Sequence, residues 1–115
     1  MLVLQIINAV ISLSTVVAAC LALARPNMFS GSHHVLHGER LFASMYAARA
    51  IPFGILVGVL PFIVFVDHWP IKVLLITAAL IQVVDVAIGA SKKEWGMVGG
   101  ATAAVVVHGL TAWLI

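Results

Sequence analysis

Four long apolar stretches divide the chain, and short polar segments separate them. The apolar stretches cover residues 2–24, 41–66, 71–90 and 96–115. Each has roughly the 20 residues that an α-helix needs to cross the hydrocarbon of a bilayer. Pro26 ends the first stretch, because proline has no backbone N–H to continue a helix, and Asp67-His68-Trp69-Pro70 forms a polar turn after the second. The pattern predicts an all-α fold, a four-transmembrane-helix bundle that forms a single integral membrane domain over residues 1–115.

Composition supports lipid as the solvent. The chain is 63% hydrophobic and only 9% Asp, Glu, Lys and Arg, whereas soluble domains devote about a quarter of their residues to charge. The net charge is +2 with no dense basic cluster, so nothing indicates nucleic-acid binding. Ala22-Leu23-Ala24 resembles a signal-peptide cleavage box, but no Lys or Arg precedes the long apolar run. We therefore expect this run to remain as a helix.

Basic residues are concentrated on one side of the expected membrane. The segments after the first and third apolar stretches hold Arg25, Arg40, Lys92 and Lys93, while the opposite side has only Lys72. Short loops rich in Lys and Arg stay in the cytoplasm. The sequence therefore predicts a multi-pass protein with these two segments in the cytoplasm and both termini outside.

Asp85 is the most informative polar residue, because it lies inside the third stretch. An ionised carboxylate there costs about 3 kcal/mol unless it is paired, protonated or near water. Gln82 lies three residues earlier, on the same helical face. Arg49 lies at a similar depth in the second stretch, with Tyr46 one turn away, and is the natural partner of Asp85. We expect these side chains to point into the bundle.

The first and fourth stretches add further polar side chains. Asn8, Ser12 and Thr15 follow i, i+4, i+7 spacing, which makes an inward-facing stripe, and His108 lies near mid-bilayer. An internal site follows, with Asp85, Arg49 and Tyr46 as candidate catalytic residues and Gln82, His108 and Asn8 as candidate ligand-binding residues. The structural alternative is that an Arg–Asp pair locks two helices together and His108 is an interhelical hydrogen-bond donor.

Two further patterns have ordinary explanations. His33 and His37 are four residues apart, with Glu39 nearby, but a closed metal site normally needs four ligands, so we expect no metal. Gly54 and Gly58 form a GxxxG pair in the second stretch. Such a pair favours close helix packing inside one bundle, with a homodimer or a partner membrane protein as the alternative. Nothing in the sequence indicates a cofactor.

Short motifs run through nearly the whole chain. They are Ala24-Arg25-Pro26, then Tyr46-x-x-Arg49 with Pro52-x-Gly54, then Gln82-x-x-Asp85 with Gly89, and finally His108. This layout resembles the DoxX-like group of small four-helix membrane proteins. The resemblance implies a four-helix bundle with a shared polar site at Arg49 and Asp85. It implies no single function, because related groups include oxidoreductase subunits, chaperone-like proteins and sterol-type ligand binders or isomerases.

Three functions are compatible with these residues. The first is binding of a lipophilic ligand or a partner through the intramembrane polar site. The second is a membrane-embedded enzyme, such as an isomerase, epoxide hydrolase or cyclase, with Asp85 as general acid or base and Tyr46 and His108 orienting the substrate. The third is a small oligomeric transporter with Asp85 as its coupling carboxylate. A cavity at Arg49 and Asp85 favours a binder or an enzyme, whereas a dry, direct pair favours a structural role.

Overall fold

Four long helices and one short helical turn make up the regular structure of the described residues. The computed structural model describes residues 1–27, 34, 36–63 and 68–115. The helices are α1 (Leu2–Ala24), α2 (His37–Val59), α3 (Trp69–Ser91) and α4 (Trp95–Leu114), and a 3-10 turn at Leu60–Phe62 follows α2. The described residues contain no strand. Each helix is long and apolar enough to cross a membrane, so the prediction of an all-α bundle of four such helices is confirmed.

The predicted bounds hold for three helices and fail for α2. α1 has the predicted ends, and α3 and α4 agree within two residues. α2 begins at His37, because the Glu39 carboxylate accepts a hydrogen bond from the Leu36 backbone N–H at 3.1 Å and stabilises an earlier first turn. It ends at Val59 instead of reaching residue 66, because Pro61 has no N–H to continue the helix. Residues 64–67 lie outside the described part of the chain.

The helices pack as two hairpins. α1 lies along α2, α3 lies along α4, and α1 and α4 join the hairpins to each other. In contrast, α2 and α3 make few contacts with one another. A tight turn closes the second hairpin, where the Glu94 N–H donates to the Gly89 carbonyl and Lys93 adopts a left-handed φ of 56°. The bundle is therefore closed on three sides and separated on the fourth.

Close contact between α1 and α2 depends on one glycine. A Cβ atom added at Gly54 would lie 2.7 Å from Val16 Cγ2 and 3.2 Å from the Ser12 carbonyl oxygen. At Gly58 the nearest atom, Ser12 Cβ, would be an ordinary 3.4 Å away. Gly54 and Gly58 therefore pack against α1 of the same chain, as expected for packing inside one bundle.

The outer surface of the bundle is apolar. Large hydrophobic side chains such as Val3, Val10, Leu80 and Trp113 are more than half exposed. A buried cluster of Val57, Ile71, Leu75, Ala78 and Ala112 fills the centre near the end where α2 leads to α3. Outward-facing aliphatic side chains on every helix are what hydrocarbon requires of a spanning protein.

Candidate ligand-binding site

A hydrogen-bonded chain of buried groups begins where α2 breaks. In a continuous helix the N–H of residue 61 would donate to the carbonyl of Val57, but Pro61 has no N–H. Asn8 of α1 replaces it, with Nδ2 donating to the Val57 carbonyl oxygen at 2.9 Å. Gln5, one turn away, donates from Nε2 to the Pro61 carbonyl oxygen at 2.8 Å. Amide side chains of α1 therefore satisfy two carbonyl groups at the break in α2.

The same asparagine determines the tautomer of His108. Because Asn8 Nδ2 must donate to a carbonyl, Asn8 Oδ1 is the remaining group and can only accept. His108 Nδ1 lies 2.7 Å from this oxygen, so Nδ1 carries the hydrogen and donates it. The Nε2 atom of the neutral ring then holds a lone pair and acts as an acceptor. Both residues are buried, with 0% of Asn8 and 2% of His108 exposed.

A cavity of about 420 Å³ lies between the separated helices α2 and α3. α1 and α4 form its back wall. It opens to the outside of the bundle, because Tyr46 and Ile81 on its two sides are 49% and 45% exposed. The lining residues are Ser12 and Thr15 of α1; Tyr46, Arg49, Ala50, Phe53, Gly54 and Val57 of α2; Ala78, Ile81, Gln82 and Asp85 of α3; and His108 of α4.

Arg49 and Asp85 line this cavity without forming the direct pair that the sequence suggested. The Arg49 guanidinium donates from Nη1 to the Met45 carbonyl oxygen of its own helix at 3.3 Å. Within the described ranges, no ion pair joins Arg49 to Asp85, and the Asp85 carboxylate accepts no hydrogen bond. The reason is the separation of α2 from α3, which places the cavity between the two side chains. Arg49 and Asp85 therefore do not form the dry, direct pair that a structural role would require.

The other predicted site residues have two distinct positions. Tyr46, Gln82 and His108 line the cavity together with the two charged residues. Asn8 does not line it, and instead forms a hydrogen bond with the His108 ring on the side away from the cavity. The structure thus brings five of the six predicted residues to one cavity and gives the sixth a supporting position.

Two residues of the back wall were not assigned to the site from the sequence. Ser12 and Thr15 belong to the polar stripe that includes Asn8, and both line the cavity. Thr15 Oγ1 donates to the Ser12 carbonyl oxygen at 2.6 Å. Ser12 Oγ is buried and has no hydrogen-bond partner among the residues that the structure describes. The i, i+4 spacing from Asn8 was the signal that could have placed Ser12 in the site.

His37 takes no part in this cavity. His37 lies in the first turn of α2 and is exposed, and His33 lies outside the described residues. Across the described ranges, no group of three or more His, Cys, Asp or Glu side chains is arranged to hold a metal ion.

Comparison with known proteins identifies no family for the chain. No protein-family model, no curated protein and no solved structure matches the chain. The resemblance to the DoxX-like group stays a prediction, and function has to be inferred from the cavity and its polar side chains.

Proposed function

We propose that this chain is a membrane protein that binds a lipophilic molecule in the cavity between α2 and α3, with a polar part of the molecule lying between Arg49 and Asp85. One observation carries the proposal: two opposite charges line the same cavity but do not touch. Each costs about 3 kcal/mol inside a bilayer when it is left unsatisfied. A ligand with hydrogen-bond donors and acceptors would satisfy both.

The size and walls of the cavity suit such a ligand. Its volume of about 420 Å³ falls within the roughly 300–1,000 Å³ of small-molecule sites, which are mostly apolar with a few convergent polar groups. Phe53, Val57 and Ile81 supply apolar wall. Because the opening lies between two helices that carry apolar outer surfaces, a lipophilic molecule would enter laterally from the bilayer.

An enzymatic use of the same cavity is the second candidate. A general acid or base must have a titratable group that can reach the substrate. The Asp85 carboxylate, with no hydrogen-bond partner in the described part of the chain, meets that condition and shares the cavity with Tyr46 and His108. The transporter alternative has less support, because Asp85 lies six residues, or about 9 Å, from the end of α3 at Ser91. A coupling carboxylate would lie nearer the membrane centre.

The test compares cavity charges with matched charges outside it. Asp85→Asn and Arg49→Gln are purified in lipid nanodiscs beside Glu94→Gln and Lys92→Gln, whose side chains do not line the cavity. Bound lipophiles are extracted and identified by mass spectrometry. We expect each cavity variant to stay folded and to retain roughly tenfold less lipophile, since a hydrogen bond to a charged group contributes about 1.5–3 kcal/mol.

Two outcomes would count against binding at this site. One is an unchanged lipophile content in both cavity variants. The other is that the cavity variants fail to fold while the amount of bound lipophile per folded protein stays the same. This outcome would indicate that Arg49 and Asp85 have a structural role. Incubation of the recovered lipophile with fresh protein separates binder from enzyme, because only an enzyme that requires Asp85 would convert it chemically.

We also propose an orientation in the membrane. The end of the bundle that carries Arg25, Arg40, Lys92 and Lys93, which we call the basic end, lies in the cytoplasm, and both termini lie outside. The support is the distribution of basic residues: the opposite end has Lys72 alone among the described Lys and Arg residues.

A further inference from the structure

Ser12 has an unusual position for a serine inside a helix. Ser12 is only 2% exposed, and within the described ranges its buried Oγ has no hydrogen-bond partner. Serine hydroxyls in helices commonly donate to a carbonyl one turn earlier, and the neighbouring Ser14 does donate to the Ile11 carbonyl oxygen at 2.6 Å. Ser12 lines the cavity instead. A buried hydroxyl that does not donate to a carbonyl of its own helix can donate to a bound molecule.

His108 offers the complementary group on the same back wall. Its Nδ1 hydrogen is donated to Asn8 Oδ1. Nε2 is therefore an acceptor, and no described residue donates a hydrogen bond to it. Ser12 and Asn8 are four residues apart on α1 and therefore occupy the same face. Asn8, which accepts a hydrogen bond from the imidazole ring, is thus one helical turn from Ser12 along α1, and both His108 and Ser12 line the cavity.

We infer that the back wall of the cavity is a subsite for an uncharged hydroxyl group, built from Ser12 Oγ and His108 Nε2. A hydroxyl donates one hydrogen bond and accepts others, so it would donate to Nε2 and accept from Ser12. The inference rests on the proposed function and specifies its ligand class as a lipophilic alcohol. An ionised carboxylate has no hydrogen for Nε2, and an ether or a hydrocarbon also leaves Nε2 unsatisfied.

Asn8 is the positioning residue of this subsite. If its amide were reversed, Oδ1 would face the Val57 carbonyl oxygen, and two acceptors would meet. The break at Pro61 therefore fixes the amide of Asn8, the amide fixes the protonated nitrogen of His108, and the other ring nitrogen becomes the acceptor.

The experiment uses a photoreactive long-chain alcohol that also carries an amide group for Arg49 and Asp85, and the methyl ether of this alcohol, which lacks only the O–H donor. Binding of both probes to the whole chain in nanodiscs is measured for the wild type, His108→Asn, Ser12→Ala, Asp85→Asn and the control Ser14→Ala. The asparagine amide can replace the Nδ1 donor to Asn8 but supplies nothing at the Nε2 position. Thermal stability without probe is measured for every variant.

We expect the wild type to bind the alcohol about 3- to 10-fold more tightly than the ether, the effect of one neutral hydrogen bond. This preference should vanish in His108→Asn. Ser12→Ala should weaken both probes, since both oxygens accept from Ser12, while its stability without probe is unchanged or higher because an unsatisfied hydroxyl is removed. Ser14→Ala should match the wild type.

Two results overturn the hydroxyl subsite while leaving the proposed function intact: equal binding of alcohol and ether by the wild type, or a preference that survives His108→Asn. A different result overturns the proposed function as well, namely that neither probe binds the wild type more than it binds Asp85→Asn. The two failures are therefore distinguishable in one set of measurements.

Discussion

Replacing Gly54 by alanine tests whether the α1–α2 contact depends on the absence of a single methyl group. The added Cβ would lie 2.7 Å from Val16 Cγ2, 3.1 Å from Thr15 Oγ1 and 3.2 Å from the Ser12 carbonyl oxygen. Val16 is β-branched and has few rotamers in a helix, so it cannot easily turn away. The Ser12 carbonyl is backbone, so relief on that side requires α1 and α2 to move apart.

The magnitude follows from two opposing terms. Alanine stabilises a helix interior by about 1 kcal/mol relative to glycine. Overpacking of a close contact costs about 1–3 kcal/mol, and three short contacts place Gly54 toward the upper part of that range. We expect Gly54→Ala to lower the free energy of unfolding by about 1–2 kcal/mol. Gly58→Ala is the matched control, because its nearest contact of 3.4 Å is ordinary, and we expect it to raise stability by up to about 1 kcal/mol.

The assay is reversible unfolding in mixed micelles, followed by circular dichroism as the fraction of denaturing detergent rises. Equal stability of Gly54→Ala and Gly58→Ala would refute the packing argument. Repeating the titration at several protein concentrations checks the alternative of a GxxxG homodimer. A midpoint that depends on concentration would show that these glycines stabilise an association between chains, whereas packing within one chain predicts no dependence.

The remaining predictions concern the buried hydrogen bonds and the orientation. Asn8→Ala should lower the free energy of unfolding by about 2–4 kcal/mol, because a buried carbonyl and a buried ring N–H both lose their partner. In a Pro61→Ala background the loss should be smaller by about 1 kcal/mol, since a backbone N–H again reaches the freed carbonyl; an equal loss in both backgrounds, measured as a double-mutant cycle, would contradict this coupling. In a Cys20→Ser background, a membrane-impermeant maleimide applied to intact cells should label His68→Cys but not Lys92→Cys, and the reverse labelling would show that the orientation is inverted.

Several parts of the site could be predicted from single residues. Asp85 and Arg49 stand out because charge inside an apolar stretch is expensive in a bilayer, and both line the cavity. The i, i+4 spacing of Asn8 and Ser12 correctly indicated an inward face, since both are buried. The direct pairing of Arg49 with Asp85 was expected because opposite charges in lipid attract, but attraction between two side chains does not determine how far apart their helices lie.

The sequence alone determined that four helices are long enough to span a bilayer, although not where α2 begins and ends, because the thickness of the hydrocarbon sets how many consecutive apolar residues a helix must have. It also indicated an inward position for Asn8, Ser12 and His108, which are buried, whereas Ser14 and Thr77 face outward and donate to carbonyls of their own helices. Only the tertiary structure decided that the close contacts at Gly54 join α1 to α2, while α2 and α3 stay apart. That separation turns a potential ion pair into a cavity. That Ser12 Oγ has no partner among the described residues was also decided by the tertiary structure, because hydrogen bonding between helices depends on distances that helix-by-helix patterns do not contain.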